Sequence, residues 1–142
     1  MAVAEPVERH VKLHPALSAL GQTDNRRMTD SDPKRTWRSP KPPYYAVIFT
    51  SINADVDHVE HTEMYHRMVE LAATYDGFLG IEPARNTDGS GVAAIYWKDT
   101  NSIAAFSRDP EHLIAKKKGR EIWYSHYMIR ICKVEAEYGR SD

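Results

Sequence analysis

The sequence predicts an α+β domain with the element order β-α-β-β-α-β. Four runs rich in β-branched and aromatic residues, a composition typical of strands, begin near residues 44, 78, 92 and 124. The first two runs, and again the last two, are separated by segments in which apolar residues recur every three or four positions, as on one face of a helix. A turn sequence at 86–91 separates the two middle runs, which indicates a β-hairpin.

The first strand covers residues 44–51 and begins directly after a proline pair. The helix that follows is predicted to begin at Asp57, because Glu60 stands three residues later, at the spacing of a capping box. It is predicted to end at Gly77, a glycine in the left-handed position that follows many helices. Its apolar face consists of His61, Met64, Tyr65, Met68, Leu71, Ala72 and Tyr75.

The second half of the domain repeats the alternation of strands and helix. Further strands are predicted at 78–85, 92–97 and 124–137. Asp99 or Thr100 is expected to cap a short helix after the hairpin. Asp109 and Pro110, an N-cap carboxylate followed by proline at the first helical position, restart the helix, which runs to about residue 119. The complete order is the ferredoxin-like pattern.

The composition limits the classes of partner. The chain has 142 residues, with 19 basic and 20 acidic side chains, so a nucleic acid or an anionic membrane is not expected as its main partner. The basic run at 116–118 is expected to be a solvated helix end. One cysteine, Cys132, excludes an internal disulfide and a thiolate metal cluster. No apolar run has transmembrane length and no signal-type segment begins the chain, so we expect a soluble, cytoplasmic protein.

Residues 1–43 are predicted to form a poorly ordered N-terminal arm, because they are polar and rich in proline apart from a short amphipathic piece at 11–20. Trp37 is the one residue of the arm expected to dock on the body. The domain itself is assigned to 44–138, followed by a C-terminal tail at 139–142.

Both faces of the predicted sheet carry large apolar side chains. The first strand places Tyr45, Val47 and Phe49 on one face and Tyr44, Ala46 and Ile48 on the other; the last places Tyr124, Met128, Cys132 and Val134 opposite Tyr127, Ile129 and Ile131. Two helices can cover only one face, and an apolar patch of this size is unusual on a monomer. We therefore predict a homodimer through the open face, with folding back of the N-terminal arm as the alternative.

His112 is the candidate catalytic residue. It lies in the first turn of the second helix, where the positive end of the helix dipole lowers the pKa of an imidazole and leaves it neutral at pH 7. A neutral imidazole in a cavity can act as a general base. The alternative is an exposed histidine, or one that only helps to cap the helix. His61 and His66 lack metal-ligand spacing, so no metal site is predicted.

An aromatic group is expected around the second helix: Trp97, Phe106, Trp123, Tyr124 and Tyr127. Such a group is more often core than ligand site, but it would suit a flat aromatic substrate if a cavity separates helices and sheet. Tyr45 and Tyr65 are candidates to add hydroxyl groups, and Arg85 or Arg130 to pair with a ligand anion. Cys132 is expected to be a buried small apolar residue.

Several segments resemble the antibiotic biosynthesis monooxygenase-like family. They are YYAVIFTS, LAATYDGFLGIE, GVAAIYWKDTNSIAAF, PEHLIAKKKGREIWYSHY and RICKVE, with GFLG, YWKD and GREIWY the most specific parts. The resemblance covers about residues 44–138 and implies a ferredoxin-like subunit that pairs into a dimeric α+β barrel. Well-known members oxidise polycyclic aromatic phenols with O2 and need neither metal nor flavin, so the resemblance implies no cofactor.

A haem-degrading branch of that family fits less well. Its tryptophan and histidine positions fall on Phe106 and Lys116 here, and its first-strand asparagine has no counterpart within 44–51. The leading hypothesis is a cofactor-independent monooxygenase in which His112 is the base and Trp97, Phe106 and Trp123 stack on a small phenolic or enolisable substrate. The alternative is a non-catalytic homodimer that binds a small molecule.

Overall fold

A computed structural model describes residues 41–139 of the chain. Residues 1–40 therefore lie outside the described residues. They include the amphipathic piece and Trp37 of the predicted N-terminal arm. Residues 140–142 lie outside them as well. The elements are β1 Tyr44–Asn53, α1 Val59–Ala73, β2 Phe78–Arg85, β3 Ser90–Trp97, α2 Thr100–Ser107, α3 Pro110–Lys118, one π-helical turn at Gly119–Trp123, and β4 Tyr124–Val134.

The four strands form one sheet in the order β2-β3-β1-β4. Every neighbouring pair is antiparallel, and Val47 at the centre of β1 lies opposite Ile95 of β3 and Ile131 of β4. This strand order with both helical segments on one face is the ferredoxin-like arrangement, so the predicted α+β fold class is confirmed.

Helix α1 differs from its prediction at both ends. His58, not Asp57, is the N-cap residue, and Asp57 instead accepts a hydrogen bond from the backbone N–H of Val59 at 2.9 Å. The helix ends at Ala73, and Gly77 does not have a positive φ. Gly77 is required by close packing instead, because a Cβ atom there would lie 2.0 Å from Oγ of Ser102.

The caps of the second helical region agree with their predictions. The carboxylate of Asp99 accepts from the backbone N–H of Ser102 at 2.7 Å, and that of Asp109 accepts from Glu111 at 2.9 Å. Both caps satisfy N–H groups that have no partner within the helix. The chain then passes through the π-helical turn, which buries Trp123 and leads directly into β4.

The core lies between the helices and the sheet. Ala72 of α1, Phe78 and Ile81 of β2, and Trp97 of β3 form one buried cluster, in which only 1% of the Trp97 surface remains exposed. Burial of each large apolar side chain contributes roughly 1.5–3 kcal/mol. The same four residues also form part of the wall of a cavity between the helices and the sheet.

Strand β4 is exposed on both faces. Met128 on the face away from the helices is 53% exposed, and Ile131 on the helix side is 57% exposed. Cys132 is also exposed, which corrects the prediction that it is buried. The physical reason is its position, because an edge strand has a neighbour on one side only and no helix covers the outer sheet face. Within residues 41–139, no helix is long and apolar enough to cross a membrane.

The first residue of β4 lies on a different face from the one predicted. Asn53 of β1 pairs with Tyr124 while Ile52 pairs with His126, so Ser125 is an extra residue in β4. Such a bulge reverses the side-chain alternation that precedes it. Tyr124 therefore faces the helices together with Tyr127, and not the open face together with Met128.

Candidate functional site

A cavity of about 480 Å³ lies between the helices and the sheet. Its wall is mostly apolar and includes Val47, Met64, Met68, Ile95, Ile103 and Ile129. The polar side chains on the wall are His61, Tyr65, Ser107, His112, Lys116, Arg120, Tyr124 and Tyr127. An apolar cavity with a few convergent polar groups is the usual form of a small-molecule site.

One histidine of the cavity belongs to an aromatic cluster at the α2–α3 junction, which we call the His112 cluster. The ring of His112 stacks on Phe106 with centroids 4.2 Å apart, and Phe106 contacts Trp97 at 5.2 Å. Tyr75 packs edge-on against both Trp97 and Phe106 and donates a 2.6 Å hydrogen bond to Asp109. The cap of α3 is thereby tied to the end of α1.

The hydrogen bonds of His112 determine its proton state. Nδ1 lies 2.9 Å from the carbonyl oxygen of Phe106, and because a carbonyl can only accept, Nδ1 carries the proton. Nε2 of the neutral ring is then an acceptor. The pKa of His112 is lowered, first by burial and further by Lys116, while the Phe106 carbonyl and Asp109 act in the opposite direction. The lowered pKa agrees with the prediction, but burial is its leading cause.

The other histidine of the wall belongs to a second aromatic cluster, which we call the His61 cluster. His61 stacks on Trp123 with centroids 4.9 Å apart and meets Tyr124 edge-on at 5.0 Å. Phe49 contacts Tyr124 at 5.2 Å and Tyr127 at 5.9 Å. These rings cover the part of the cavity formed by α1, the π-helical turn and β4.

The two clusters occupy different ends of the cavity. Trp97 of the His112 cluster pairs across the sheet with Tyr45, whereas Phe49 of the His61 cluster pairs with Ala93. Ala93 and Trp97 are four positions apart along β3, which corresponds to about 13 Å at the rise of a strand. A bound molecule that spans the cavity would therefore meet one histidine at each end.

His61 is hydrogen-bonded through both ring nitrogens. Nε2 lies 2.7 Å from the hydroxyl of Tyr124, and Nδ1 lies 3.0 Å from Nδ1 of His58, whose own Nε2 lies 2.9 Å from the Ala54 carbonyl. The pKa of His61 is lowered to about 4, first by burial and then by the neighbouring His58 and Arg85. Burial raises the pKa of Tyr124. Both groups are thus neutral near pH 7.

Two basic side chains, Lys116 and Arg120, also reach the cavity wall. Lys116 donates a 2.8 Å hydrogen bond to the carbonyl of Ser107, and burial lowers its pKa. The prediction of a solvated basic run at 116–118 is therefore corrected, because of these three lysines only Lys117 is exposed. The apolar stem of Lys116 lies along the cavity. Lys118 pairs with Glu60 and lies 5.9 Å from the ring of Trp123.

The chain is similar to one curated protein at a level that establishes kinship. It is 43% identical over 100 residues to the uncharacterised protein YqjZ of Bacillus subtilis, across 70% of this chain and 87% of YqjZ. The chain belongs to the YqjZ family. No protein-family model matches the sequence.

Solved structures of low sequence identity share the fold. SnoaB of Streptomyces nogalater, described as a cofactor-independent oxygenase, superposes with a TM-score of 0.61 at 15% identity, over 70% of this chain and all of SnoaB. A Nitrosomonas europaea protein, provisionally assigned as an antibiotic biosynthesis monooxygenase, superposes with a TM-score of 0.55 at 14% identity, over 67% of this chain and 92% of its own. The fold of this YqjZ-family chain is therefore that of the antibiotic biosynthesis monooxygenase-like proteins.

The structure brings five of the seven predicted site residues to the cavity wall: Tyr65, Trp97, Phe106, His112 and Trp123. Tyr45 does not line the cavity, because it lies beyond Val47 at the end of the sheet where it pairs with Trp97. Arg85 does not line it either, because its guanidinium is turned to Ser51 and to the carbonyl of Gly89, at 2.8 and 2.7 Å. Arg130, the other predicted anion partner, lies 3.4 Å from Thr50 on the outer face.

Sequence reasoning missed the His61 cluster as a possible site. His61 was assigned only to the apolar face of the helix and excluded as a metal ligand, and His58 carried no signal beyond its three-residue spacing from His61. Their link to Tyr124 spans 63 residues of sequence and needs the β4 bulge, so no local pattern reveals it. Among residues 41–139 no group of three or more His, Cys, Asp or Glu side chains could hold a metal ion.

Proposed function

We propose that this YqjZ-family protein is a cofactor-independent monooxygenase that acts with O2 on a small aromatic, phenolic or enolisable substrate. The observation that carries the proposal is His112, a half-buried neutral imidazole on the cavity wall. Its Nδ1 is occupied by the Phe106 carbonyl, which leaves Nε2 as the proton acceptor. The fold shared with SnoaB supports the same class of reaction.

The cavity supports a flat, largely apolar substrate. Aromatic rings stand at both ends, with Phe106 in the His112 cluster and Trp123 in the His61 cluster. Offset or edge-on contacts with such rings favour an aromatic ligand by about 0.5–1.5 kcal/mol per pair. Lys116 and Arg120 add positive charge at the wall, where it would stabilise an anion formed in the cavity.

The proposed reaction balances without an external reductant. His112 removes one proton from an acidic CH2 group of the substrate, and the carbanion is delocalised over the adjoining rings. The carbanion transfers electrons to O2 and forms a C–O bond, and the resulting peroxide anion takes the proton back from His112. Loss of the second C–H proton with cleavage of the O–O bond gives a ketone and water. The carbon loses four electrons, which reduce both oxygen atoms.

Oxygen uptake with isotope labelling tests this proposal. The wild-type protein is incubated with a panel of two- and three-ring phenols and ketones that contain an acidic CH2 group, in the presence of EDTA and under ¹⁸O2. The proposal predicts one O2 consumed per ketone formed, with one ¹⁸O atom in the product. If members of the panel raise the melting temperature but none is oxidised, the protein is instead a non-catalytic binding protein.

We also propose that the working form is a homodimer through the outer sheet face. On this face Met128 is 53% exposed, Val92 44% and Ile52 46%, and Cys132 is exposed as well. An exposed apolar sheet face together with an edge strand exposed on both sides is a liability in water. A second copy would cover the outer face of the sheet.

A further inference from the structure

The polar chain behind the His61 cluster has a defined direction. The carbonyl of Ala54 can only accept, so Nε2 of His58 carries a proton. With His58 neutral, its Nδ1 accepts, and the proton between the two imidazoles belongs to Nδ1 of His61. Nε2 of His61 is then an acceptor, and the hydroxyl of Tyr124 donates to it. In each hydrogen bond from Tyr124 to Ala54, the donor is thus the group nearer to the cavity.

We propose that Tyr124, His61 and His58 form a proton relay, in which Tyr124 accepts a proton from a molecule in the cavity and His58 receives the proton at the other end. The relay would make Tyr124 a second general base, distinct from His112. It rests on the proposed function in one respect only, namely that a molecule releases a proton inside the cavity.

The transfer consists of three short steps that conserve every valence. A proton moves from the bound molecule to the Tyr124 oxygen, while the original hydroxyl proton moves to Nε2 of His61. The proton on Nδ1 of His61 moves to Nδ1 of His58. Tyr124 and His61 are neutral before and after, His61 has changed tautomer, and His58 has become an imidazolium. The reverse sequence returns the proton, for example to a peroxide anion.

The surroundings favour this division of roles. Burial and the positive charge of Arg85 disfavour an imidazolium at His61, and burial disfavours a phenolate at Tyr124, as their lowered and raised pKa values indicate. Neither group therefore suits a role in which it holds a charge, but a relay asks neither of them to do so. His58 lies in the segment before α1, between exposed Asp57 and Val59, where water can stabilise the charge.

The relay also explains why an imidazole pair lies beside an apolar wall. A histidine that only filled space at position 61 would need one hydrogen-bond partner for each buried nitrogen. A side-chain amide, which neither gives up nor takes up a proton, would be a sufficient partner. The partners found here, a phenol and a second imidazole, are both able to give up and to accept a proton. A complete chain of exchangeable protons therefore joins the cavity to the segment before α1.

Histidine tautomers measured by ¹⁵N NMR test the relay without any substrate. The groups that face His61 are His58, Tyr124 on β4 and Arg85 on β2. Lys118, which pairs with Glu60, lies 5.9 Å from the ring of Trp123. At pH 8 we expect His61 in the Nδ1–H form and His58 in the Nε2–H form. On acidification to pH 5, His61 should stay neutral because its pKa is lowered to about 4, and it should switch to the Nε2–H form as the proton between the two Nδ1 atoms passes to His58.

The variant His58→Gln provides the matched control. A glutamine oxygen can accept from Nδ1 of His61 but cannot bind the proton, so His61 should remain in the Nδ1–H form across the whole range. The relay is overturned if wild-type His61 never changes tautomer, or if His61 is protonated before His58. Either result is read from the folded protein, independently of any activity.

Kinetics with a substrate found in the oxygen-uptake panel add a second readout. Tyr124→Phe keeps the ring and removes only the oxygen, and it should slow turnover by about a hundredfold. His58→Gln should slow it similarly and abolish a multi-proton solvent isotope effect. If the tautomer switch is present but Tyr124→Phe turns over at the full rate, Tyr124 is not a second base. If the switch is present and no panel member reacts, the proposed oxygenase function fails while the relay stands.

Discussion

The Nδ1 atoms of His58 and His61 lie 3.0 Å apart, so one of the two rings must hold the proton between them. This contact joins the cavity wall to the segment that precedes α1. Nε2 of His61 is hydrogen-bonded to the hydroxyl of Tyr124. The two histidines therefore link the apolar cavity, through hydrogen bonds, to the segment before α1. His112, at the other end, has its Nδ1 bound to the Phe106 carbonyl instead. The two histidines of the wall thus have different roles in our account.

The stability of the protein should fall with acid more steeply than that of a His61 variant. His61 binds a proton at a pKa of about 4 when folded and near 6.5 when unfolded, so between these pH values the unfolded chain holds more protons. The free energy of unfolding therefore decreases as the pH falls from 6.5 to 4, at less than about 1.4 kcal/mol per pH unit. Urea melts at several pH values should show a shallower slope for His61→Gln; an unchanged slope would contradict the burial of this ring.

Replacement of Gly77 by alanine should destabilise the fold. The new methyl group would lie 2.0 Å from Oγ and 2.4 Å from Cβ of Ser102, so the β2 and α2 ends must move apart, at a cost of about 1–3 kcal/mol. The double variant Gly77→Ala, Ser102→Gly removes both clashing atoms and should recover part of the loss. Gly139→Ala is the matched control, since nothing lies within 4 Å of a Cβ atom there. Chemical denaturation measures all three; equal stability of the Gly77 and Gly139 variants would refute the packing argument.

The hydrogen bond from Tyr75 to Asp109 should matter for both the stability of the α3 cap and the pKa of Asp109. Tyr75→Phe removes a 2.6 Å bond to a carboxylate that caps the helix, and the expected loss is about 1–2 kcal/mol in the free energy of unfolding. The hydroxyl of Tyr75 also helps to hold the pKa of Asp109 below its ordinary value, so this pKa should rise in the variant. Tyr138→Phe, at a fully exposed position, should change neither quantity. A Tyr75 variant as stable as the Tyr138 variant would argue against the contact.

A charge on the outer sheet face should prevent association. Met128→Glu places a carboxylate on the proposed interface, and burial of an unpaired charge there would cost several kcal/mol. Sedimentation should show a dimer for the wild type and a monomer for this variant. Val59→Glu introduces the same charge at the exposed first residue of α1, and should leave the dimer intact. A wild-type protein that sediments as a monomer at micromolar concentration would exclude the interface.

The sequence predicted well those features of the fold that depend only on residues close together in the chain. Asp109 with Pro110 identified the start of α3, because a cap needs only the residues beside it. The predicted end of α1 was wrong. Gly77 is required by its close packing against Ser102 of α2, and not by the geometry of a helix end. Cys132 was placed in the core because cysteine usually is, whereas its burial here depends on whether a partner covers the outer face.

The candidate site was predictable in part for the same reason. His112 was identified from its place in a helix first turn, and its neighbour Phe106 from the amphipathic pattern of α2. The strict alternation that places Tyr124 on the face opposite Tyr127 fails at Ser125, where the strand has a bulge. Its hydrogen bond to His61, and hence the second cluster, followed only from three-dimensional contacts.

The most direct test of the central claim is hydrogen–deuterium exchange at the acidic CH2 group of an active substrate, without O2. In D2O under argon, the wild-type protein should accelerate loss of the C–H signal, because deprotonation precedes the reaction with oxygen. His112→Gln should lower the exchange rate by about 10²-fold or more, while His66→Gln, a substitution away from the cavity wall, should match the wild type. Exchange by His112→Gln at the wild-type rate would contradict the role of His112 as the base.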